Sequence, residues 1–242
     1  MEVHHPHHPS HKKNWKEYLL EFFMLFFAVT LGFFAENIRE KIAEQKKAKE
    51  MIETVAKDLK SDLAQLKMIR EYEVNKIKLS DSLWVVLSSN PSTIDQRDYY
   101  RLLTQFSIFF MFNANDKSRN SASANGYFFQ EENKQLSFYI DKYNFWLSDY
   151  KEVDKLFMVQ AQKFIYDILP KITDPDLFDK QWRYPFPPIE SKIGIMPIST
   201  QSIRKTKHML SMTKGIMDTY MSDMDSMYYY ANKAIETIEK QH

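Results

Sequence analysis

The stretch YLLEFFMLFFAVTLGFFA, residues 18–35, is the most informative segment for predicting the fold and the location of this chain. Its 18 residues contain one charged side chain, that of Glu21. A helix rises about 1.5 Å per residue, so the stretch spans roughly 27 Å, close to the thickness of the hydrocarbon core of a bilayer. Its many phenylalanine and leucine side chains together favour insertion by about 3–6 kcal/mol. We therefore predict a transmembrane helix over residues 18–36.

This helix is expected to be an uncleaved signal anchor. The apolar run is longer than the apolar region of a usual signal peptide, and AEN at residues 35–37 offers no cleavage site of the small-x-small type. Trp15 and Tyr18 lie where interfacial aromatic residues are found. The alternative is a buried core helix, but such a helix would carry a polar face with a period of 3.6 residues, and residues 22–35 have none.

The orientation of the span in the membrane can be predicted from the basic residues on its two sides, and two arguments from these residues give opposite answers. The basic residues before it are Lys12, Lys13 and Lys16, and those after it are Arg39, Lys41, Lys46, Lys47 and Lys49. A bare count would place the C-terminal side in the cytoplasm. The lysines of the short tail lie close to the membrane, however, whereas the later basic residues belong to a long helix of mixed charge. We favour a single-pass protein with a cytoplasmic N-terminus and a body outside the cytoplasm.

Three residues of the predicted span could do more than anchor the chain. Ala28 and Gly32 form a small-xxx-small pair, which permits close approach of two helices and is a candidate helix-pairing face. Glu21 is the one ionisable residue inside the span, so it is a candidate site for ion or proton handling. The alternatives are an ordinary lipid-facing composition for the small pair and a carboxylate that reaches the headgroups for Glu21.

The tail, residues 1–17, is rich in histidine and lysine and is interrupted by two prolines. Its histidines are His4, His5, His7, His8 and His11. Neutral imidazole binds zinc, copper and nickel, so these five residues are a candidate site for a labile divalent transition metal. The alternative is a solvated tail that gains positive charge below about pH 6.5. No other cofactor is expected.

Residues 37–242 are predicted to form a helical soluble domain. Apolar residues recur every three or four positions from Ile52 to Ile69, which indicates one buried helical stripe, and charged residues such as Asp58, Asp62 and Lys67 are assigned to the other faces. The pattern predicts helices over residues 37–88, 95–112, 128–169 and 199–241, a polar loop over 113–126 and an extended proline-rich connection over 171–199. The expected fold class is all-α, in which the transmembrane helix continues into a long helix that carries an antiparallel helical bundle.

The composition excludes several kinds of chemistry. The chain has no cysteine, so disulfides, thiol catalysis and cysteine-bound zinc are excluded. Basic and acidic residues number 33 and 32, and a chain without excess positive charge is not expected to bind nucleic acid. His208 is the one histidine between the tail and the final residue. It could act as a general base, but a surface or seam position beside Lys207 is the favoured interpretation, and no enzymatic activity is expected.

Residues 21–40, EFFMLFFAVTLGFFAENIRE, resemble the anchor of a group of uncharacterised single-span, His-tailed helical membrane proteins common in Bacteroidota. The positions that carry the resemblance are Glu21, Gly32, Glu36, Asn37, Arg39 and Glu40. The resemblance implies a basic tail, a single span and a helical body. With the favoured orientation, a bacterial source implies the inner membrane as the location, with the body in the periplasm. It implies no activity, so the function must be inferred from the residues themselves.

Two functions of different classes fit these features. The first is a non-enzymatic scaffold or assembly subunit of a membrane complex, which binds the lipid bilayer with its span and binds other membrane proteins, or a second copy of itself, with its span and its body. The second is a component for transport or for sensing metal or pH, which uses Glu21 and the histidines of the tail.

Overall fold

The computed structural model describes residues 14–90, 93, 95–176 and 198–241. The α-helices in these residues are α1 Trp15–Val86, α2 Gln96–Phe106, α3 Lys117–Ala124, α4 Lys134–Lys163 and α5 Thr200–Gln241. Every regular element among the described residues is helical, which confirms the predicted all-α class. The chain forms two compact units, Met1–Met51 and Ile52–His242, and the boundary between them falls within α1. The described part of the first unit is a single helical segment.

α1 is 72 residues long and joins the predicted span and the predicted long helix in one element. No proline occurs between its ends, so nothing in this sequence removes a backbone donor from the ladder of hydrogen bonds. In the second unit, three ion pairs fix the direction of α5 against α1: Lys60–Glu239 at 2.6 Å, Arg70–Asp225 at 2.6 Å and Asp81–Lys214 at 2.8 Å. As residue numbers rise along α1 they fall along α5, so the two helices are antiparallel.

α4 runs parallel to α1. The Tyr143 hydroxyl of α4 donates to Asp62 Oδ2 of α1 at 2.8 Å. Further along both helices, Lys76 Nζ of α1 lies 5.1 Å from the ring centroid of Phe157 of α4. The predicted antiparallel arrangement therefore holds for α5 against its two neighbours, while α1 and α4 share a direction. The segment between them returns the chain to the starting end of the bundle.

A buried cluster closes one end of this bundle. α2 contributes the largest share of it, and the end of α1, the chain that follows α4 and the first part of α5 supply the rest. Its fully buried members include Leu83, Tyr99, Leu103, Phe164 and Leu210. Two tyrosines of α2 also tie down the chain after α4, because Tyr99 donates its hydroxyl to the Ile172 carbonyl at 2.9 Å and Tyr100 accepts from the Asp174 amide at 2.7 Å.

α2 ends at Phe106, six residues before the predicted end of this helix. The Tyr72 hydroxyl and the Lys76 ammonium both donate to the Ile108 carbonyl, at 3.2 and 2.6 Å. These two side chains of α1 donate hydrogen bonds to a backbone carbonyl just after α2. The chain can therefore leave the helix there without an unpaired carbonyl group. Phe112, 7% exposed, packs against Tyr150 after this exit, which agrees with the assignment of the run 106–112 to the core.

The predicted loop over residues 113–126 is wrong in part, because it contains α3. Arg119 of this short helix is buried and pairs with Asp62, so a contact distant in sequence stabilises a segment whose own composition favours a turn. The end of the predicted loop is confirmed at Gly126, which takes the left-handed conformation with φ 73°. α4 then starts at Lys134, continues as a π-helical stretch over Phe164–Ile168 and ends in a 3₁₀ turn that contains Pro170.

Candidate functional site

The apolar stretch of α1 is exposed along its length in the described part of its unit. Its most apolar 18-residue window has a mean hydropathy of 2.0, and none of that window is buried. Among the described residues, α1 is the one helix long and apolar enough to cross a membrane. Phe33 and Leu25, for example, are 76% and 69% exposed. Side chains this apolar are unfavourable in water, so the stretch requires a lipid or protein environment.

The predicted pairing residues lie on an open face of this helix. A Cβ atom placed on Gly32 would meet nothing within 4 Å, and Ala28, one turn earlier, is exposed. Glu21 lies seven residues before Ala28 and therefore shares its face, because seven residues make nearly two turns of an α-helix. Thr30, on the opposite face, donates its hydroxyl to the Phe26 carbonyl at 2.7 Å, so its polar group is satisfied within the helix.

The metal prediction lies outside the described residues. His4, His5, His7, His8 and His11 all belong to the segment 1–13, so metal binding by the tail stays a prediction. Within the part of the chain that the structure describes, no group of three or more His, Asp or Glu side chains is placed to hold a metal ion. His208 is exposed on α5, as its surface interpretation requires.

A buried ionic network joins α1, α3 and α4. Asp62 is fully buried and accepts hydrogen bonds from the Asn115 amide at 2.9 Å, the Asn115 side chain at 2.8 Å, Arg119 at 3.1 Å and Tyr143 at 2.8 Å. The Arg119 guanidinium carbon lies 4.7 Å from the Tyr143 ring centroid, while Nε and Nη2 have no hydrogen-bond partner. The assignment of Asp62 to a solvent face is therefore wrong. Residue 62 lies in the apolar stripe of α1. An aspartate can be buried there because Arg119 of α3 places its guanidinium beside the carboxylate.

A second buried pair lies about three to four turns further along α1. Glu73 and Lys76 are 0% and 1% exposed. Lys76 Nζ lies 3.6 Å from the Phe109 ring centroid as well as donating to Ile108, whereas both carboxylate oxygens of Glu73 lack a hydrogen-bond partner. Burial raises the pKa of the Glu73 carboxyl to about 7 against the opposing effect of Lys76, and Asp154 raises it further. Burial also lowers the pKa of the Lys76 ammonium, and Glu73 opposes this effect.

Polar side chains of α4 and α5 meet beside this pair. The Tyr150 and Tyr220 hydroxyls form a hydrogen bond, and Tyr220 also donates to Asp154 Oδ1 at 3.1 Å. Burial raises the pKa of both tyrosines and that of Asp154. On the next turn of α5, Asp223 is 2% exposed and its Oδ2 has no partner. Burial and the neighbouring Asp149 carboxylate raise the pKa of Asp223 to about 6.

These buried groups were missed in the sequence, although a signal exists. The apolar stripe of α1 has spacings of three and four residues, and continuing this spacing through residues 62, 73, 76 and 80 gives Asp, Glu, Lys and Ser. All four are buried. A polar residue at a core position predicts a partner from another helix, but the sequence alone does not show which helix supplies it.

The surface of the second unit holds an open hollow of about 600 Å³ between α4 and α5. Its lining residues are Trp146, Asp218, Met221, Ser222, Asp225, Ser226, Tyr229 and Tyr230. Three aromatic rings and two carboxylates therefore face one accessible space. No single sequence motif marks this hollow, because its residues come from two helices.

Comparison with protein-family models, curated proteins and solved structures finds no match for this chain.

Proposed function

We propose that this protein is a non-enzymatic, single-pass scaffold or assembly subunit of a membrane complex. The observation that carries the proposal is the uncovered apolar stretch of α1, whose Phe and Leu side chains are exposed among the described residues. A lipid bilayer is the environment that fits a helix of this length and composition. The proposed location is the bacterial inner membrane, with the N-terminus in the cytoplasm and the body in the periplasm.

The span is proposed to pair through the face that contains Glu21, Ala28 and Gly32, either with a second copy or with a partner protein. Close approach of helices in a membrane depends on small side chains, and the Cβ position of Gly32 is open. Membership of the His-tailed Bacteroidota group is part of this proposal and rests on residues 21–40 alone.

The placement of the ionisable groups in the body supports a binding role rather than catalysis. Asp62, Glu73 and Lys76 have at most 1% of their surface exposed, so they contact other helices instead of a diffusing substrate. A catalytic acid or base must reach the proton that it transfers. The exposed features of the body instead include aromatic side chains such as Phe129 and Tyr166, and aromatic residues are enriched at surfaces that bind proteins.

Cysteine cross-linking in the full chain tests the pairing, and the natural absence of cysteine makes each introduced thiol unique. Ala28→Cys and Gly32→Cys are expected to give a disulfide-linked dimer or, if a partner also carries a thiol, a heavier adduct on mild oxidation in native membranes. Thr30→Cys, on the opposite face, is the matched control and is expected to give little product. Equal cross-linking at all three positions would contradict pairing through this face, and no product at any of them would contradict pairing with a second copy through it.

Purification in a mild detergent at native expression levels tests the assembly role. The mass of the complex is expected to exceed that of one chain, and defined proteins or a second copy are expected to co-purify. A lone monomer would contradict the scaffold function.

Transport or sensing is the second candidate function, and the face shared by Glu21, Ala28 and Gly32 favours it. Pairing through this face would place carboxylates beside one another within the membrane, where ionisable groups often handle protons or ions. Proton flux into liposomes that hold the purified chain is the test. Flux that is lost in Glu21→Gln would support this candidate, whereas no flux with the unmodified chain leaves the scaffold function.

A further inference from the structure

The hollow between α4 and α5 combines aromatic faces with negative charge. We call it the aromatic–acidic groove and define it by Trp146, Asp218, Asp225, Tyr229 and Tyr230. It is open to solvent, and Tyr229 is 54% exposed, so its ring is accessible to a partner. This combination of side chains suits a positively charged group, because the faces of aromatic rings and carboxylates both attract cations.

One end of the groove already holds a guanidinium. Arg70 of α1 donates from Nε to Asp225 Oδ1 at 2.6 Å and from Nη2 to Asp225 Oδ2 at 3.1 Å, which is the two-point geometry typical of arginine–carboxylate pairs. Asp218, two turns earlier on α5, is exposed and has no ion-pair partner among the described residues. The groove therefore has one occupied carboxylate and one that is available.

Neighbouring carboxylates strengthen the negative field at this site. Asp149 lies three residues after Trp146 on α4 and is exposed, and Asp223 lies between the groove residues Ser222 and Asp225 on α5. The cations given by the contacts of the groove residues are Arg70 and Lys233, so the four carboxylates Asp149, Asp218, Asp223 and Asp225 outnumber them. An excess of one sign of charge in a concave surface attracts ligands of the opposite sign.

Cations lie against aromatic rings in the second unit, both away from the groove and at the groove residue Tyr229. Lys207 Nζ lies 5.2 Å from the Trp84 ring centroid, and Lys233 Nζ lies 6.0 Å from that of Tyr229. Lys233 also forms an ion pair with Glu236 at 2.8 Å, so a carboxylate outside the groove already balances its ammonium charge. The Trp146 and Tyr230 rings offer further aromatic surface inside the groove.

We propose that the aromatic–acidic groove binds an arginine or lysine side chain from a basic segment of a partner protein. The cation would pair with Asp218 and lie over the accessible aromatic rings, while Arg70 retains Asp225. This inference rests on the proposed scaffold function, since it names the chemistry of the partner that the body recognises.

Peptide binding to the full chain in an uncharged detergent tests the proposal. The probe is a fluorescein-labelled alanine-rich nonapeptide with two arginines, and its matched control contains citrulline, which has the same shape without the charge. We expect the arginine peptide to bind at least about fivefold more tightly, as measured by fluorescence anisotropy. Asp218→Asn and Tyr229→Leu are each expected to weaken its binding about two- to fivefold.

Asp167→Asn is the control variant, because Asp167 is an exposed aspartate in the π-helical stretch that follows α4 and does not line the groove. It is expected to bind the arginine peptide like the unmodified chain, and circular dichroism checks that every variant is folded. Equal binding of the two peptides, binding of neither, or equal losses in Asp167→Asn and Asp218→Asn would overturn the proposal. The cross-linking test of the span uses different residues, so a failure here is distinguishable from a failure of the scaffold function.

Discussion

Asp62 carries a charge that the body must neutralise in its interior. Removing one partner of a buried ion pair leaves the other charge without compensation, which typically costs about 3–5 kcal/mol. We expect Asp62→Ala to lower the free energy of unfolding by this amount, because Arg119 would remain buried without its carboxylate. The measurement is thermal unfolding followed by circular dichroism.

Two comparisons isolate the cause of that loss. In the double variant Asp62→Leu with Arg119→Met, both charges are removed, so we expect much of the stability to return. Glu239→Gln breaks the exposed pair with Lys60 and is expected to cost less than about 1 kcal/mol. A double variant no more stable than Asp62→Ala would show that the charge is not the cause.

Asp223 makes stability depend on pH, because its pKa is about 6 in the folded protein and that of a free aspartate is about 3.9. The folded state holds the proton more tightly, so this contribution is fully present below about pH 4 and is lost as the pH rises to about 6. We expect Asp223→Asn to be more stable than the unmodified chain at about pH 7.5, by roughly 1–2 kcal/mol, and to show a flatter dependence between these limits. Thermal unfolding at both ends of this range measures the difference, and Asp218→Asn is the exposed control. An unchanged pH profile in Asp223→Asn would assign the effect to other groups.

At the scale of single residues, the sequence allowed the core to be predicted where it is apolar. Met217 and Met224 are both 1% exposed, as their helical spacing predicts. It did not allow Asp62, Glu73 or Lys76 to be placed, because a charged residue at a core position is favourable only when another element supplies its partner. That partner lies 57 residues away in the case of Asp62 and Arg119.

At the scale of elements, local signals predicted the starts of α2 and α5 to within one residue, whereas the predicted start at residue 128 lies six residues before the start of α4 at Lys134. Asp95 caps α2 by accepting from the Arg97 amide at 2.9 Å, and Ser199 caps α5 by accepting from the Ser202 amide at 3.1 Å. Both caps involve residues two or three positions apart, so a short stretch of sequence contains all of the information. The end of α2 depends instead on Tyr72 and Lys76 of α1, which the sequence of α2 does not contain.

Two glycines should respond to alanine with opposite signs. Gly126 has φ 73°, so an alanine there is strained even though a Cβ would meet nothing within 4 Å, and we expect a loss of about 1 kcal/mol. Gly215 lies inside α5 and its Cβ position is also open, so Gly215→Ala should gain about 0.5–1 kcal/mol from helix propensity. Each variant is the control for the other in denaturant unfolding. Changes of the same sign would contradict the backbone explanation.

At the scale of the whole molecule, composition and periodicity predicted an all-α chain with one apolar segment. They did not predict that α1 and α4 run in the same direction. That arrangement requires the chain between them to cover the length of the bundle, and Tyr72, Lys76 and Asp62 hold successive points of this return path through Ile108 and Asn115. Such contacts join residues that are distant in sequence, so they cannot be predicted from helical periodicity.

At the same scale, the proposed anchoring of the chain in a membrane can be tested. Its net charge is +1, so electrostatic attraction to anionic lipids is weak, and we expect the full chain to remain in the membrane pellet after washing with alkaline carbonate. Leu25 and Val29 are exposed in the apolar stretch, and two lysines at these positions would oppose insertion by about 5–7 kcal/mol, at least as much as the stretch gains. The variant with Leu25→Lys and Val29→Lys should therefore appear in the supernatant, whereas Leu25→Ile with Val29→Ile should stay in the pellet. If carbonate released the unmodified chain, or if the two lysines left it in the pellet, the apolar stretch would not be the anchor.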